Sequence, residues 1–91
     1  MEGVKVPELK VFTLPSCSSC PAAKQVAIEV AQKLGIGYRE ISLNTKEGLE
    51  EASAYPIMSV PSIALNGEVI VAGRLISGER LEEEVWRRLK K

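Results

Sequence analysis

Two cysteines are the residues of this sequence best suited to covalent chemistry. Cys17 and Cys20 are its only cysteines, and the 91 residues contain no histidine. They lie in the segment PSCSSCP, residues 15–21, whose serines and prolines are typical of an exposed turn. Because histidine is the usual general base near neutral pH, its absence leaves nucleophilic or redox chemistry to the two thiols.

Three structural interpretations of the cysteine pair compete with a reactive one. Structural zinc needs four protein ligands, and the sequence has no further cysteine and no histidine to complete them. A disulfide that closes so small a ring contributes only about 2 kcal/mol in the chain-entropy model, and in a cytosolic chain it tends to be reduced. Inert core thiols fit poorly with the polar neighbours. The spacing therefore favours a reactive dithiol.

The two cysteines are expected to have different roles. If Cys17 lies at the amino end of a helix, unpaired N–H groups and the helix dipole stabilise its thiolate and lower its pKa from the ordinary value. Cys20 follows by about one helical turn, so its sulfur lies beside the first, more deeply buried, and can attack a mixed disulfide at Cys17. Pro21 stiffens the first turn. Cys17 is thus the predicted nucleophile and Cys20 the resolving thiol.

The apolar spacing predicts seven elements around this motif. Strands are expected at 9–14, 38–43, 62–65 and 68–72, and helices at 21–34, 44–55 and from 77 onward. Asn66 and Gly67 favour the two-residue turn of a hairpin. A right-handed strand-helix-strand unit joined by that hairpin gives the order β-α-β-α-β-β-α. The prediction is one α/β domain over residues 1–91, with a four-stranded mixed sheet and three flanking helices.

The same spacing assigns caps and buried faces to the two later helices. Asn44 is the expected cap of the second helix, completed by Glu47, and Ser77 is the expected cap of the last. The expected buried positions are Leu49, Ala52, Tyr55, Leu81, Val85 and Leu89, with Trp86 in the core or at its edge. Each follows from a helical repeat of three or four residues.

Composition narrows the possible partners. Twelve basic and twelve acidic residues give a formal net charge of zero with no basic stripe, which argues against nucleic acid and anionic membranes as partners. The first ten residues lack the features of a secretory signal, and no run of about 18 apolar residues occurs. We therefore expect a cytoplasmic protein, and we also expect a monomer. Its core is expected to be thin, so a substrate would be met at the surface.

The sequence resembles the small thioredoxin-fold oxidoreductases of the glutaredoxin-like type. The segments that carry this resemblance are Val11-Phe12-Thr13, Cys17-Ser18-Ser19-Cys20-Pro21, the run 57–62 (IMSVPS) and Asn66-Gly67. The resemblance implies that Pro61 is a cis proline opposite the dithiol and that the Val60 backbone bonds to a substrate chain. Ser16, Ser18 and Ser19 complete the expected substrate-binding residues, and Ser18 and Ser19 would also tune the reduction potential.

The sequence departs from both best-known branches of that fold. Thioredoxins typically place Trp before the motif and Gly-Pro within it, where this chain has Ser16 and Ser18-Ser19. Glutaredoxins typically have Pro-Tyr within the motif and a Gly-Gly then Asp pattern that holds glutathione; here residues 72–75 read AGRL. The glutathione site is therefore not carried over. Arg74 is either a carboxylate receptor or a solvated side chain.

Three further side chains are assigned near the motif. Lys24 lies four residues after Cys20 on the same helical face, where it either stabilises a thiolate or is simply solvated. Met58 and Tyr55 are expected to cover the site as apolar residues. No chemistry is assigned to either.

The expected activity is reduction of disulfides in other proteins, without a bound cofactor or metal. A thioredoxin reductase or glutathione would return the electrons. One alternative is a glutathione-dependent glutaredoxin of the same fold. Another is a non-enzymatic module that binds an iron-sulfur cluster through Cys17.

Overall fold

The protein is represented by a computed structural model, which describes residues 7–53, 55, 59–65 and 68–89. The elements are β1 (Glu8–Thr13), α1 (Cys20–Leu34), β2 (Gly37–Ser42), α2 (Lys46–Ala52), β3 (Ser62–Leu65), β4 (Glu68–Ala72) and α3 (Gly78–Leu89). The predicted order is confirmed, and β3 and β4 have the predicted bounds. The predicted turn at Asn66 and Gly67 lies outside the described residues.

The four strands form one mixed sheet in the order β2-β1-β3-β4. β1 pairs in parallel with β2, with Thr13 opposite Ser42. It pairs antiparallel with β3, with Phe12 opposite Ser62, and β3 pairs antiparallel with β4, with Ser62 opposite Ala72. The carboxyl ends of β1, β2 and β4 and the start of β3 therefore lie at one edge of the sheet, which we call the upper edge.

The central strand β1 is covered on both faces, which explains why its sequence is an almost continuous apolar run. On one face, Leu9 and Val11 pack with residues of α1 and α3 that include Ala27, Val30, Leu81 and Val85. On the other face, Phe12 packs with Ile41, Ala52 and Ala64, and α2 covers this side. Alternation along β1 thus separates an α1/α3 side of the sheet from an α2 side.

Helix α1 has the predicted extent to within one residue. Pro21 occupies its first turn, where a missing N–H costs little. The helix ends at Gly35, whose φ of 70° is left-handed, and the N–H of Ile36 donates to the carbonyl of Ala31 over 3.0 Å. This ending is the glycine stop that the sequence predicts.

Helix α2 differs from its prediction in cap and buried face. The cap is Thr45, not Asn44, because the Thr45 Oγ1 accepts the N–H of Gly48 over 2.9 Å. Leu49, predicted to be buried, is 57% exposed. The buried positions are Gly48 and Ala52, and a Cβ on Gly48 would collide with the carbonyl oxygen of Ser42. The close approach of the helix to β2 thus selects glycine at the point of contact.

Helix α3 confirms its predicted cap and most of its buried face. The Ser77 Oγ accepts the N–H of Arg80 over 3.2 Å, and Leu81 and Val85 are fully buried. The assignment of Trp86 to the core or its edge is wrong, because its side chain is 54% exposed. Val85 already occupies the face toward α1, and the next residue points about 100° away around the helix. Among the described residues, no helix has the length and apolar character required to cross a membrane.

Candidate dithiol active site

The dithiol lies at the upper edge of the sheet, between β1 and α1. After β1 ends at Thr13, the chain turns so that the N–H of Cys17 donates to the carbonyl of Leu14 over 3.1 Å. Cys20 is the first residue of α1, and Ser19 receives the N–H of Ala23 on its carbonyl. Cys17 and Cys20 form a disulfide with a Cα–Cα distance of 5.4 Å.

The position of Cys17 differs from the sequence prediction in one respect. The helix begins at Cys20, so Cys17 lies three residues before it rather than at its first position. Its backbone N–H is used by the turn. The sulfur is nevertheless joined to that of the first helical residue, so the dithiol stays at the amino end of α1, where the helix dipole favours negative charge.

The two sulfur-bearing residues differ in exposure. Cys20 is 3% exposed, whereas Cys17 is only partly buried. Ser16 and Ser18 on either side of Cys17 are exposed, and Ser19 is partly buried. Of the two cysteines, Cys17 is therefore the one that a substrate reaches first.

A cleft of about 210 Å³ opens beside the disulfide. Besides the cysteines, polar side chains from three secondary-structure elements line this cleft. They are Thr13 from β1, Lys24 from α1, and Glu40 and Ser42 from β2. Lys24 lies where the sequence predicts it, on the same helical face as Cys20. The small volume indicates a surface groove rather than a deep cavity, as expected for a chain of this size.

Glu40 is the most connected polar group of the cleft. Its carboxylate accepts a hydrogen bond from the Thr13 hydroxyl over 2.9 Å and lies 3.4 Å from the Lys24 ammonium. Burial, with a smaller contribution from the Glu40 carboxylate, raises the pKa of Tyr38 from its ordinary value. The cleft thus holds a lysine and a carboxylate beside the two sulfurs.

Sequence reasoning did not identify Thr13 and Glu40 as site residues. A signal was present, because side chains alternate along a strand and Tyr38, Glu40 and Ser42 must share one face of β2. Thr13 ends β1, directly opposite Ser42 in the parallel pair. Once β1 and β2 are taken as parallel neighbours, polar residues at their carboxyl ends converge next to the motif.

The segment before β3 forms the other wall of the upper edge. The Val60–Pro61 peptide bond is cis, as the resemblance implied. Because Phe12 pairs with Ser62, Pro61 lies beside Thr13, which lines the dithiol cleft. Pro61 is buried and Val60 is partly buried. The pairing therefore brings both residues to the edge that carries the dithiol.

Gly73 holds this segment from the side of β4. Its N–H donates to the Pro61 carbonyl over 2.9 Å, and its φ of 78° is left-handed. A Cβ at this position would collide with the hydroxyl of Ser59. The buried Ser62 hydroxyl donates to the Ser59 carbonyl over 2.6 Å. From the sequence alone, Gly73 was only part of the segment that departs from the glutaredoxin pattern. Its left-handed φ is seen only in the structure.

Three other predicted neighbours of the site have different outcomes. Tyr55 does not cover the cleft: it packs against Phe12 on the α2 side, with ring centroids 5.3 Å apart. Met58 lies outside the described residues. Arg74 is exposed and lines a separate groove of about 410 Å³ with Ile76 and Arg80. Within the described ranges, no three His, Cys, Asp or Glu side chains are grouped so that they could hold a metal ion.

The fold and the site together define a class of protein. The defining features are a mixed four-stranded sheet, a Cys-x-x-Cys disulfide between the central parallel strand and the following helix, and a cis proline ahead of the antiparallel strand beside it. This is the thioredoxin-like α/β arrangement of a dithiol-disulfide oxidoreductase.

Comparison with known proteins gives the family. Residues 7–85 match the family model described as "Thioredoxin domain". A thioredoxin of Methanocaldococcus jannaschii is 38% identical over 82 residues, covering 90% of this chain and 95% of that protein. A probable thioredoxin of Archaeoglobus fulgidus is 37% identical over 71 residues, covering 78% of each. The chain belongs to the thioredoxin family and is a thiol-disulfide oxidoreductase.

Solved structures agree on the fold. The structure of thioredoxin 1 from Thermosipho africanus superposes with a TM-score of 0.70 at 19% identity, covering 91% of this chain and 94% of that one. The crystal structure of oxidised thioredoxin O2 from Arabidopsis thaliana also gives a TM-score of 0.70 at 19% identity. At these identities the likeness shows the thioredoxin fold alone.

Proposed function

We propose that this protein reduces disulfides in other proteins, with Cys17 as nucleophile and Cys20 as resolving thiol. The Cys17 thiolate attacks one sulfur of the substrate disulfide; that S–S bond breaks, and the departing thiolate takes a proton from water. Cys20 then loses its proton, attacks the Cys17 sulfur and expels the second substrate sulfur. Two electrons pass to the substrate, and the Cys17–Cys20 disulfide remains.

The observation that carries this division of roles is the difference in exposure within the disulfide. An attacking thiol must reach a sulfur on another protein, and Cys17 is the partly exposed one. A resolving thiol needs to reach only its neighbour, and Cys20 is 3% exposed. The buried thiol is thus protected from external disulfides until a mixed disulfide forms beside it.

The substrate chain is proposed to lie along the upper edge of the sheet. Ser16 and Ser18 flank the accessible sulfur and are exposed, so they offer hydroxyls and backbone groups to an extended chain. On the opposite wall, Val60 and Pro61 precede β3, and the Val60 backbone is the proposed partner for strand-like hydrogen bonds. The relation of Pro61 to Thr13 in the sheet supports this placement.

Regeneration requires two electrons and two protons from a separate donor. We propose a thioredoxin reductase as that donor, because the two relatives quoted above are named as a thioredoxin and a probable thioredoxin. Glutathione is the competing donor. Turnover measured with glutathione and glutathione reductase, against turnover with a thioredoxin reductase, separates the two. The cytoplasmic location and the monomeric state stay predictions.

The experiment that tests the assignment uses insulin, whose disulfides are accessible, as substrate. A Cys20→Ser variant is expected to accumulate a mixed disulfide at Cys17, visible by mass spectrometry as a covalent adduct. A Cys17→Ser variant is expected to form no adduct and to lose activity. Equal adducts on both variants, or undiminished insulin reduction by Cys17→Ser, would falsify the division of roles.

Brown colour and visible absorption in anaerobically purified protein would indicate the iron-sulfur alternative instead.

A further inference from the structure

We infer that Lys24 and Glu40 form an opposed pair of charges that sets the acidity and the reduction potential of the dithiol. Lys24 favours the thiolate of the reduced protein and Glu40 opposes it. This inference rests on the proposed function of Cys17 and Cys20. It assigns both residues as tuning groups that act on the sulfurs through their charge, and it gives Thr13 the role of positioning Glu40.

Both charges belong to the dithiol cleft. Lys24 follows Cys20 by four residues on α1, so it rises from the same face of the helix. Glu40 comes from the neighbouring strand β2 and lines the same cleft as both cysteines. Their side chains are 35% and 40% exposed, and their charged atoms are 3.4 Å apart. The contact is long and open to solvent, and it lies in the cleft that both cysteines also line.

The other charged groups of β2 and its surroundings lie elsewhere. Tyr38 shares the face of Glu40 and interacts with its charge, but it does not line the cleft. Arg39 points to the opposite face, where it pairs with Glu8 and Glu51. Arg74 belongs to the groove beside α3. Among the described residues that line the cleft, Lys24 and Glu40 are the ionisable groups other than the cysteines.

The pair must respond when the disulfide is reduced. In the disulfide form the sulfurs are neutral, and the Lys24 ammonium lies against the Glu40 carboxylate. Two electrons and one proton from the reductase convert the disulfide into one thiolate and one thiol, which adds a negative charge to the cleft. That thiolate competes with Glu40 for Lys24 and is repelled by the carboxylate. Thr13 keeps the carboxylate in place through its 2.9 Å hydrogen bond.

Removing the charge of Glu40 and removing the charge of Lys24 are therefore expected to have opposite effects on the stability of the thiolate. Glu40→Gln keeps an acceptor for Thr13 but removes the repulsion, so the pKa of the Cys17 thiol is expected to fall by about one unit. Lys24→Gln leaves Glu40 unopposed, so that pKa is expected to rise by a similar amount. The double variant removes both charges, so its pKa is expected to lie between those of the two single variants.

The reduction equilibrium is expected to follow the thiolate. Glu40→Gln stabilises the thiolate of the reduced form. At a pH above the pKa of the Cys17 thiol, its equilibrium constant with a glutathione redox buffer is expected to shift about tenfold toward the dithiol, or about 30 mV for two electrons. Lys24→Gln is expected to shift it toward the disulfide, most clearly above the pKa of the thiol. A merely structural role for the pair would move stability without giving shifts of opposite sign.

The experiment measures the rate of Cys17 alkylation by iodoacetamide against pH, together with the equilibrium in glutathione buffers. Lys33 and Glu82 provide the matched control, because they form a lysine-glutamate pair at 3.1 Å on α1 and α3, away from the cleft. Lys33→Gln and Glu82→Gln are expected to move neither quantity. Urea unfolding of each variant shows whether it is folded.

The outcomes separate this inference from the function on which it rests. Opposite shifts in the two cleft variants, with the control pair silent, support it. Shifts of the same sign, no shift, or equal shifts in the control pair overturn it. In those cases the proposed function stands if wild-type Cys17 still reacts and insulin is reduced. If both wild-type thiols are ordinary and insulin is untouched, the function itself fails.

Discussion

The two sides of the sheet each carry a lysine-glutamate pair that joins a strand to a helix, and the pairs differ in their surroundings. On the α2 side, Lys10 of β1 contacts Glu51 of α2, with side chains only 17% and 28% exposed. Lys10 also donates to the Tyr55 hydroxyl over 3.4 Å and lies 5.7 Å from the centre of its ring. These contacts tie β1 to α2 and to Tyr55, which follows that helix.

The pair on the α1/α3 side is built more loosely. Lys24 and Glu40 are more exposed, their contact is longer, and two sulfurs of changeable charge lie in the same cleft. A charge with several fixed partners stabilises one structure. A charge whose partner changes with oxidation state can change the acidity and the reduction potential of the dithiol beside it. The comparison indicates that the α2 side is built for stability and the cleft side for reactivity.

The largest expected effect tests the α2 side. Gly48→Ala places a Cβ against the Ser42 carbonyl, and backbone cannot move aside as a flexible side chain can. We expect unfolding free energy, measured in urea, to fall by about 2 to 3 kcal/mol, although alanine itself favours helix by about 1 kcal/mol. Insulin reduction per folded molecule is expected to change far less than stability, although Ser42 itself borders the dithiol cleft.

Gly78→Ala is the matched control for that variant. Gly78 is the first residue of α3 and Gly48 the third of α2, but a Cβ on Gly78 would meet nothing within 4 Å. Its stability is expected to stay within about 0.5 kcal/mol of wild type. A Gly48→Ala protein as stable as Gly78→Ala would show that α2 is not fixed by its contact with Ser42. Loss of activity in folded Gly48→Ala protein would break the separation of the two sides.

The second prediction tests the cleft side. Gly73→Ala forces alanine into a left-handed conformation and pushes the Ser59 hydroxyl, next to Pro61. We expect a smaller loss of stability, about 1 to 2 kcal/mol, and a several-fold loss of kcat/KM for insulin, with the pKa of Cys17 unchanged. Here the obstacle is a flexible side chain, so Ser59→Gly in the same protein is expected to restore part of the stability.

Two results would contradict the hypothesis that Gly73 leaves room for Ser59 and so keeps the segment of Pro61 in place for substrate. If Ser59→Gly restored nothing, the loss would come from the backbone conformation alone. If activity toward insulin were unchanged in the folded variant, the segment of Ser59 and Pro61 would not contact substrate.

The sequence predicted the strands and the dithiol well for definite reasons. A Cys-x-x-Cys pair after an apolar run and before an amphipathic repeat fixes its own location, because both flanking elements have strong periods. The bounds of β3 and β4 followed from Asn66 and Gly67, whose preference for positive φ is local. These signals depend on nearby residues, and the described strands on either side of the turn have the predicted bounds.

The errors concern properties that arise only when elements pack. Helical spacing shows which residues share a face but not which face finds a partner, and so Leu49 and Trp86 were placed inside. Asn44 and Thr45 are both suitable caps, and only the backbone at the helix start chooses Thr45. Glu40 became a site residue because β2 pairs with β1, a long-range fact. The local signals located the sulfurs, and packing supplied the charges around them.

The smallest expected effect, and the most direct comparison of the two pairs, comes from Lys10→Met. The side-chain hydrogen bond to Glu51 raises the pKa of Lys10 from its ordinary value, against an opposing effect of burial. The same bond lowers the pKa of Glu51. Methionine keeps the apolar stem and removes the charge, so we expect a loss of about 1 kcal/mol at pH 7, with the reduction potential unchanged.

The pH dependence of that loss follows from the two directions. A carboxylate with a lowered pKa contributes stability above its ordinary value of 4.5, and this contribution is lost as the pH falls through the folded-state pKa. A lysine with a raised pKa contributes below its ordinary value of 10.5, and this is lost as the pH rises through the folded-state pKa. The difference between wild type and Lys10→Met is therefore expected to be full at pH 7 and to shrink toward both extremes.

Urea unfolding of both proteins at pH 7 and pH 3 measures this difference, and alkylation of Cys17 measures the reactivity on the other side of the sheet. Lys24→Gln is the counterpart: we expect it to change reactivity more than stability, since its pair is more exposed. If Lys10→Met moved the pKa of Cys17 as far as Lys24→Gln does, charge would act on the dithiol through the sheet regardless of side. The contrast between a stabilising pair on the α2 side and a tuning pair in the dithiol cleft would then be lost.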